Sequence, residues 1–254
     1  MLTFNDFISF VEEVTTKTSV SINNFFDSNI SCSRFKDDGS IVTDADIFAE
    51  KFIRDQISAK FNKHNIIGEE LCDKSLKSDS KWIIDPIDGT YNFAKGVPMF
   101  GTLIGFLHHE QPTYGSLRLP KFHSDFIVGD NNICLYNGEK LKTSIFEGWD
   151  HALILTTDEV RIFNSKISKQ WQKLKKSGAN FRSWGDCFGY FLVCQGKADA
   201  MFDLDLKPYD ILPLIPILKG AGVAIIDLSE EQNYSSIIAC KPEIKDKMQQ
   251  EFIF

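Results

Sequence analysis

Two carboxylates and a threonine end an apolar run in this chain: Trp82-Ile83-Ile84-Asp85-Pro86-Ile87-Asp88-Gly89-Thr90. Hard divalent cations such as Mg²⁺ take oxygen ligands, typically one or two carboxylates with phosphate oxygens and water. Clustered acids without sulfur or imidazole therefore suit a metal beside a phosphate. Asp85 and Asp88 supply such acids, and the Ile87 carbonyl is a further oxygen. Pro86 fixes φ and removes an N–H, which stiffens the turn, while Gly89 allows the backbone to approach whatever the acids hold. Taken alone, the segment also reads as ordinary Asp-Pro and Asp-Gly turn dipeptides closing a strand.

Three further acidic positions lie apart from this turn in sequence: Asp46, Glu69 within Gly68-Glu69-Glu70, and Asp210 within Lys207-Pro208-Tyr209-Asp210. Each has an everyday structural meaning. Asp46 suits a helix dipole, Glu69 a solvated surface, and Asp210 a helix N-cap.

The elements that must carry these residues follow from hydrophobic periodicity. Phe7, Phe10, Val11 and Val14 have helical spacing and predict a helix over about residues 3 to 26. Thr43 or Asp44 caps a second helix through Phe48, Phe52, Ile53, Ile57 and Phe61, with Asp46 in its first turn. Residues 65 to 68 and 81 to 84 read as short buried strands leading into Glu69 and Asp85. Residues 101 to 136 offer short apolar runs separated by Gly, Pro, Asn and Asp, which predicts an antiparallel meander.

Lys140 to Trp149 then crosses to a second lobe, with strands near Leu153 and Ala200. Helices are expected around 166 to 176, 188 to 195 and 211 to 219, the last made irregular by Pro213 and Pro216. The expected architecture is α+β in two closely packed lobes. Residues 1–140 form an N-terminal α+β lobe with the turn acids, and residues 141–254 a C-terminal α/β lobe with Asp210.

Composition narrows the partners. The 254 residues, 43% hydrophobic and 25% charged with 22 phenylalanines, describe a globular chain able to bury a large core. A net charge of -7 argues against nucleic acid and anionic membranes as general partners, so an anionic substrate would need local cations. No apolar run approaches the roughly 20 residues that span a bilayer, and no signal-like segment is seen, which predicts a cytoplasmic location. The six cysteines lack any C-x-x-C pair and are expected as buried thiols. His108 and His109, adjacent in a strand, would face opposite ways, and neither G-x-G-x-x-G nor a Walker A pattern occurs.

Taken together, Val42-Thr43-Asp44-Ala45-Asp46, Gly68-Glu69-Glu70, the Trp82 to Thr90 block and Tyr209-Asp210 at a helix start resemble the inositol monophosphatase family of Mg²⁺-dependent phosphatases. The match in order and spacing runs from about residue 36 to 223. The resemblance implies a layered αβαβα sandwich, a homodimer, and an acidic metal cluster between the lobes. It assigns Glu69, Asp85 and the Ile87 carbonyl to one Mg²⁺, and Asp85, Asp88 and Asp210 to a second. Two or three ions are implied, with Mn²⁺ as an alternative. It also implies that Thr90, paired with Asp46, orients a water, that Glu69 assists as base, and that Asp88 with the amides of Gly89 and Thr90 contacts the phosphate. Lys36 matches a basic residue on a mobile loop of the family.

The ester is addressed by another segment, Arg182-Ser183-Trp184-Gly185-Asp186-Cys187-Phe188-Gly189-Tyr190, where the family contacts the substrate beyond its phosphate. G-D-C-x-x-Y here, Gly96 to Ile104, and Lys207 to Asp210 are similar to the histidinol-phosphate phosphatase branch. Histidinol phosphate carries an ammonium and an imidazole, which a carboxylate receives with charge-assisted hydrogen bonds that inositol hydroxyls do not need. Gly185, Asp186 and Asp203, with Arg182 as a contact or a salt-bridge partner, are the candidate substrate residues. Asp186 also reads as an N-cap on the following helix, and Phe188 and Tyr190 as core. The expected reaction is hydrolysis of histidinol phosphate to histidinol and phosphate, a step of histidine biosynthesis. The alternatives are inositol 1-phosphate or a broad set of small phosphate esters, and a non-catalytic binding or regulatory module on the same fold.

Overall fold

The computed structural model describes residues 2–28, 33–36, 39–122 and 125–253. Helix α1 (Phe4–Ser28) turns Phe7, Phe10, Val11, Val14 and Ile22 inward, as their spacing requires. Strands β1 (Ser33–Phe35) and β2 (Ile41–Thr43) pair as a small antiparallel ribbon carrying Lys36 just past the first strand. Thr43 then starts α2 (Asp44–Lys60) with a capping box closed by Asp46, so that acid is fixed at the helix mouth.

A seven-stranded sheet follows: β3 (Asn65–Gly68), β4 (Ser80–Asp88), and, beyond the short helix α3 (Thr90–Ala94), β5 (Gly101–His108), β6 (Gln111–Leu119), β7 (Asp125–Gly129), β8 (Cys134–Tyr136) and β9 (Glu139–Lys140). Only β3 and β4 are parallel; the rest is the antiparallel meander. The second sheet is built from β10 (Leu153–Thr156), then, after α4 (Glu159–Phe163) and α5 (Ser168–Leu174), β11 (Asn180–Arg182). After α6 (Asp186–Cys194) come β12 (Ala200–Leu204), α7 (Pro208–Ile211), α8 (Leu214–Gly220), β13 (Ala224–Asp227), β14 (Ser236–Cys240) and α9 (Lys245–Phe252). Its order is β11-β10-β12-β14-β13, parallel across the first three strands.

Period-2 burial sorts these elements into five layers. On β4, Trp82 and Ile84 pack with Phe7, Phe10, Ile53 and Ile57 of α1 and α2. On β12 and β14, Met201, Ile237 and Ala239 join residues of α6, α8 and the first sheet. The intervening Ala200, Phe202, Ile238 and Cys240 pack against Trp171 of α5 and Met248 and Phe252 of α9. The result is an αβαβα sandwich whose middle helices are shared by both sheets.

The middle layer explains Pro213 and Pro216. Gly105, Gly115 and Gly129 are register partners across β5, β6 and β7 and form a bare row on the sheet. A Cβ on Gly115 would lie 1.7 Å from the Pro213 carbonyl oxygen, and one on Gly129 would lie 2.6 Å from the Pro216 carbonyl oxygen. The expected single helix over 211 to 219 is therefore two, α7 and α8, separated at Leu212-Pro213, with Pro216 in the first turn of α8 where its missing N–H costs nothing. Of the described cysteines four are buried, but Cys72 is exposed, which corrects the expectation for that residue; Cys32 lies outside the described residues. No helix among the described residues is long and apolar enough to cross a membrane.

Candidate active site

Residues three apart in a regular strand point to opposite faces. Asp85 and Asp88 escape this rule because the β4–β5 register shifts between them: Asp85 pairs with Leu103, and Asp88 with Gly101. The bulge at Pro86-Ile87, held by a hydrogen bond from Thr102 Oγ1 to the Pro86 carbonyl (2.8 Å), aims both acids into the middle layer. Asp210 comes from the opposite side, as the third residue of α7 rather than its N-cap, with the Lys207 amide donating to its carboxylate at 2.7 Å. Carboxylate oxygens of Asp85, Asp88 and Asp210 all lie within 4.8 Å of one another.

Glu69 leaves β3 beside Asp85, its amide donating to the Ile84 carbonyl (3.2 Å), and lines the same cleft with the Ile87 backbone. Lys36 Nζ reaches Glu69 at 2.7 Å and Glu70 at 2.8 Å. Gly89 has φ of +89°, a left-handed turn closed to side chains because a Cβ would meet the Met99 carbonyl at 2.9 Å. That turn delivers Thr90, whose hydroxyl lies 3.2 Å from Asp46 and 2.9 Å from the Ile87 carbonyl.

Electrostatics favour a cation here. Burial, then the neighbouring charges of Glu69, Asp88 and Asp210, push the Asp85 carboxyl well above its usual range, and burial with Asp186 and Asp210 does the same to Asp88. Burial raises Asp210 to about 7 and Asp46 to about 6, against the hydrogen bonds each accepts. Lys36, although burial opposes its charge, is held above the ordinary lysine value by Glu69 and Glu70. The donor set is oxygen throughout, as Mg²⁺ requires, and a bound cation would offset the mutual repulsion that raises these acids.

The far wall is made by the start of α6 and the strand ends of the second sheet. Gly185, not Asp186, is the N-cap. Asp186 is the first helical residue at φ of +50°, an uncommon conformation for a side-chain-bearing residue. Its amide donates to Thr157 Oγ1 (2.9 Å) and its carboxylate accepts from Asn92 Nδ2 (3.0 Å). The Cys187 amide donates to Asp88, tying α6 to the acidic cluster. Asp203 lies deeper, accepting from Thr157 Oγ1 at 2.9 Å and from the Tyr190 hydroxyl at 3.4 Å, and burial raises it to about 7.

Arg182 departs from its expected place. It is exposed, donates to the neighbouring Phe181 carbonyl (2.7 Å), and is absent from the cleft lining. Arg161 lines the cleft instead, anchored on the Leu204 carbonyl at 2.8 Å. Arg161, Thr157 and Asn92 are unforeseen in the sequence, and Tyr190, expected as core, is buried but also lines the cleft with its hydroxyl on Asp203. Thr157 follows β10 directly, and the carboxyl ends of parallel strands are where open α/β sheets bind ligands, so that position was the available signal.

The inositol monophosphatase family model matches residues 11–252. The chain belongs to the inositol monophosphatase family. Among similar proteins, a histidinol-phosphatase of Chlorobaculum parvum is 30% identical over 198 residues, covering 78% of this chain and 76% of that one. The chloroplastic bifunctional phosphatase IMPL2 of Arabidopsis thaliana is 34% identical over 195 residues, covering 76% of this chain and 56% of that longer one. The extragenic suppressor protein suhB of Bartonella henselae shares the fold with a TM-score of 0.88 at 19% identity, over 96% of this chain and 97% of its own. Members of the inositol monophosphatase family are metal-dependent phosphatases, and in this member the acidic cluster has the donor chemistry for the metal.

A pH test follows from the raised carboxyls of this family member. Asp186, Asp203 and Asp210 bind their protons more tightly folded, at about 6, 7 and 7, than at the ordinary aspartate value of 3.8. The folded state then holds more protons than the unfolded one across that window, so metal-free stability falls as pH rises from near 4 through about 7. Calorimetry of chelator-treated protein should give a Tm lower by at least about 5 °C at pH 8 than at pH 5, a gap that Mg²⁺ closes at pH 8. A metal-free Tm that rises with pH would contradict this account of the cluster.

Proposed function

We propose that this chain is a Mg²⁺-dependent phosphomonoesterase whose preferred ester is histidinol phosphate. The observation that carries the reaction is the convergence of Asp85, Asp88 and Asp210 beside the Gly89-Thr90 turn, with Thr90 held by Asp46. Bound Mg²⁺ would neutralise phosphate charge and activate water for in-line displacement. Glu69, Asp85 and the Ile87 carbonyl would hold one ion, and Asp85, Asp88 and Asp210 another. The Gly89 and Thr90 amides would cradle the phosphate oxygens, Thr90 and Asp46 would orient the attacking water, and Glu69 would take its proton.

The ester assignment rests on Asp186, whose carboxylate is fixed by Asn92 beside the Gly89 turn and lines the cleft. A fixed carboxylate there suits an ammonium or imidazolium group. The Chlorobaculum parvum relative supports the same reading. Inositol 1-phosphate is the second reading, favoured by the hydroxyl-rich surroundings of Thr157 and Tyr190. A purely regulatory module would need no complete acidic cluster.

The test is Mg²⁺-dependent phosphate release from histidinol phosphate, inositol 1-phosphate, fructose 1,6-bisphosphate and 3′-phosphoadenosine 5′-phosphate. Histidinol phosphate should have the highest kcat/KM by at least about 10-fold. Equal, slow rates on all four would defeat the assignment.

A further inference from the structure

Helix α2 carries Asp46, Glu50 and Arg54 at four-residue spacing, so all three share one face. Asp46 reaches the Thr90 hydroxyl. One turn further on, Glu50 is 0% exposed and accepts hydrogen bonds from the amides of Glu70 (2.7 Å) and Leu71 (3.2 Å) and from Arg54 Nε (2.6 Å). Arg54 donates through Nη2 to the Leu71 carbonyl (2.9 Å) and through Nη1 to the Cys72 carbonyl (3.0 Å). Gly68 makes room for this pair, since a Cβ there would lie 2.1 Å from Glu50 Oε1.

The hydrogen bonds of one buried ion pair are thus directed to the backbone of residues 70 to 72, the segment that leaves β3 through Glu69. Taking two charges out of water is costly, and satisfying them on a single stretch of main chain fixes that stretch in place. Glu69 is bracketed on its other side by the hydrogen bond that its own amide donates to the Ile84 carbonyl. We propose that Glu50 and Arg54 are positioning residues that set the Glu69 carboxylate against the acidic cluster. Helix α2 then holds both the Thr90 hydroxyl and the Glu69 segment in one rigid frame. This rests on Glu69, Asp85, Asp88 and Asp210 being metal ligands.

The test is calorimetric titration of the metal-free protein with Mg²⁺, for the wild type, Glu50→Gln and Arg54→Lys, with Tm measured beside it. Glu50→Gln keeps the shape but turns a donor toward amides that need an acceptor. Arg54→Lys keeps the charge but cannot span two carbonyls. Both should bind Mg²⁺ about 10- to 100-fold more weakly, as for other groups that orient metal ligands. In the wild type, the Glu70 and Leu71 amides should be protected from hydrogen exchange, a readout independent of either variant folding.

Wild-type Mg²⁺ affinity in both variants despite a lowered Tm would overturn the proposal and leave the metal cluster standing. So would rapid exchange of those two amides. A wild type that binds no Mg²⁺ would remove both readings together.

Discussion

Asp88→Asn is expected to abolish Mg²⁺-dependent phosphate release, by about 10³-fold or more, while leaving the metal-free protein at least as stable as the wild type. The first half follows because Asp88 belongs to the carboxylate cluster and a neutral amide is a poor ligand for a hard cation. A factor of 10³ is about 4 kcal/mol of transition-state stabilisation, within what a metal supplies to phosphoryl transfer. The second half follows from electrostatics. Burial and the charges of Asp186 and Asp210 hold Asp88 well above its usual carboxyl range, so the metal-free fold carries the cost of that acid at neutral pH. Asparagine removes the charge yet still offers an oxygen to the Cys187 amide. The pair of measurements is steady-state turnover and Tm of the chelator-treated protein. Near wild-type turnover would sink the mechanism, and lost activity with a lowered Tm would make Asp88 a structural residue.

The second large effect concerns the ester. Asp186→Asn should lower kcat/KM for histidinol phosphate by about 10- to 100-fold relative to inositol 1-phosphate, the worth of one hydrogen bond to a charged group. The substitution is a clean one. Residue 186 sits at φ of +50°, a region that asparagine tolerates as well as aspartate, and the hydrogen bond from its backbone amide to Thr157 Oγ1 does not involve its side chain. Comparing both esters on one preparation cancels any common loss from a shifted α6. An equal decline on both would mean that Asp186 acts only by holding the Cys187 amide against Asp88.

The sequence made the acids legible, and much of the architecture, because both rest on local chemistry. Period-2 runs and helical spacing marked the meander, α1 and α2, and Thr43 with Asp46 marked a helix start. Other features depended on distant pairing. The strand from 81 to 84 continues to Asp88 only because β5 tolerates a bulge there, and that bulge, invisible in residue types, turns two acids to one side. Asp186 looked like a cap, but Gly185 fits the close approach to Thr157, where a Cβ would lie 2.2 Å from the Thr157 Cα. Arg182 had the right chemistry at the end of an edge strand and an exposed direction, whereas Arg161 acquires its place from the Leu204 carbonyl across the sheet. Helix α9 and the antiparallel β13 and β14 carry little signal, because the strands have only 4 and 5 residues and α9 offers only Met248 and Phe252 as apolar positions.

The row of Gly105, Gly115 and Gly129 beneath Pro213, Pro216 and Ile217 has a mechanical meaning. Where most helices ride on side chains, which hop between rotamers and give under thermal agitation, the Pro213 to Ile217 segment rests main chain upon main chain. Its height above the sheet is set by the van der Waals radii of backbone atoms. Asp210 stands three residues before that seat, and Asp85 stands on β4, hydrogen-bonded to β5. The gap between these two carboxylates is thus gauged by a backbone spacer, as a jig fixes the distance between two tools.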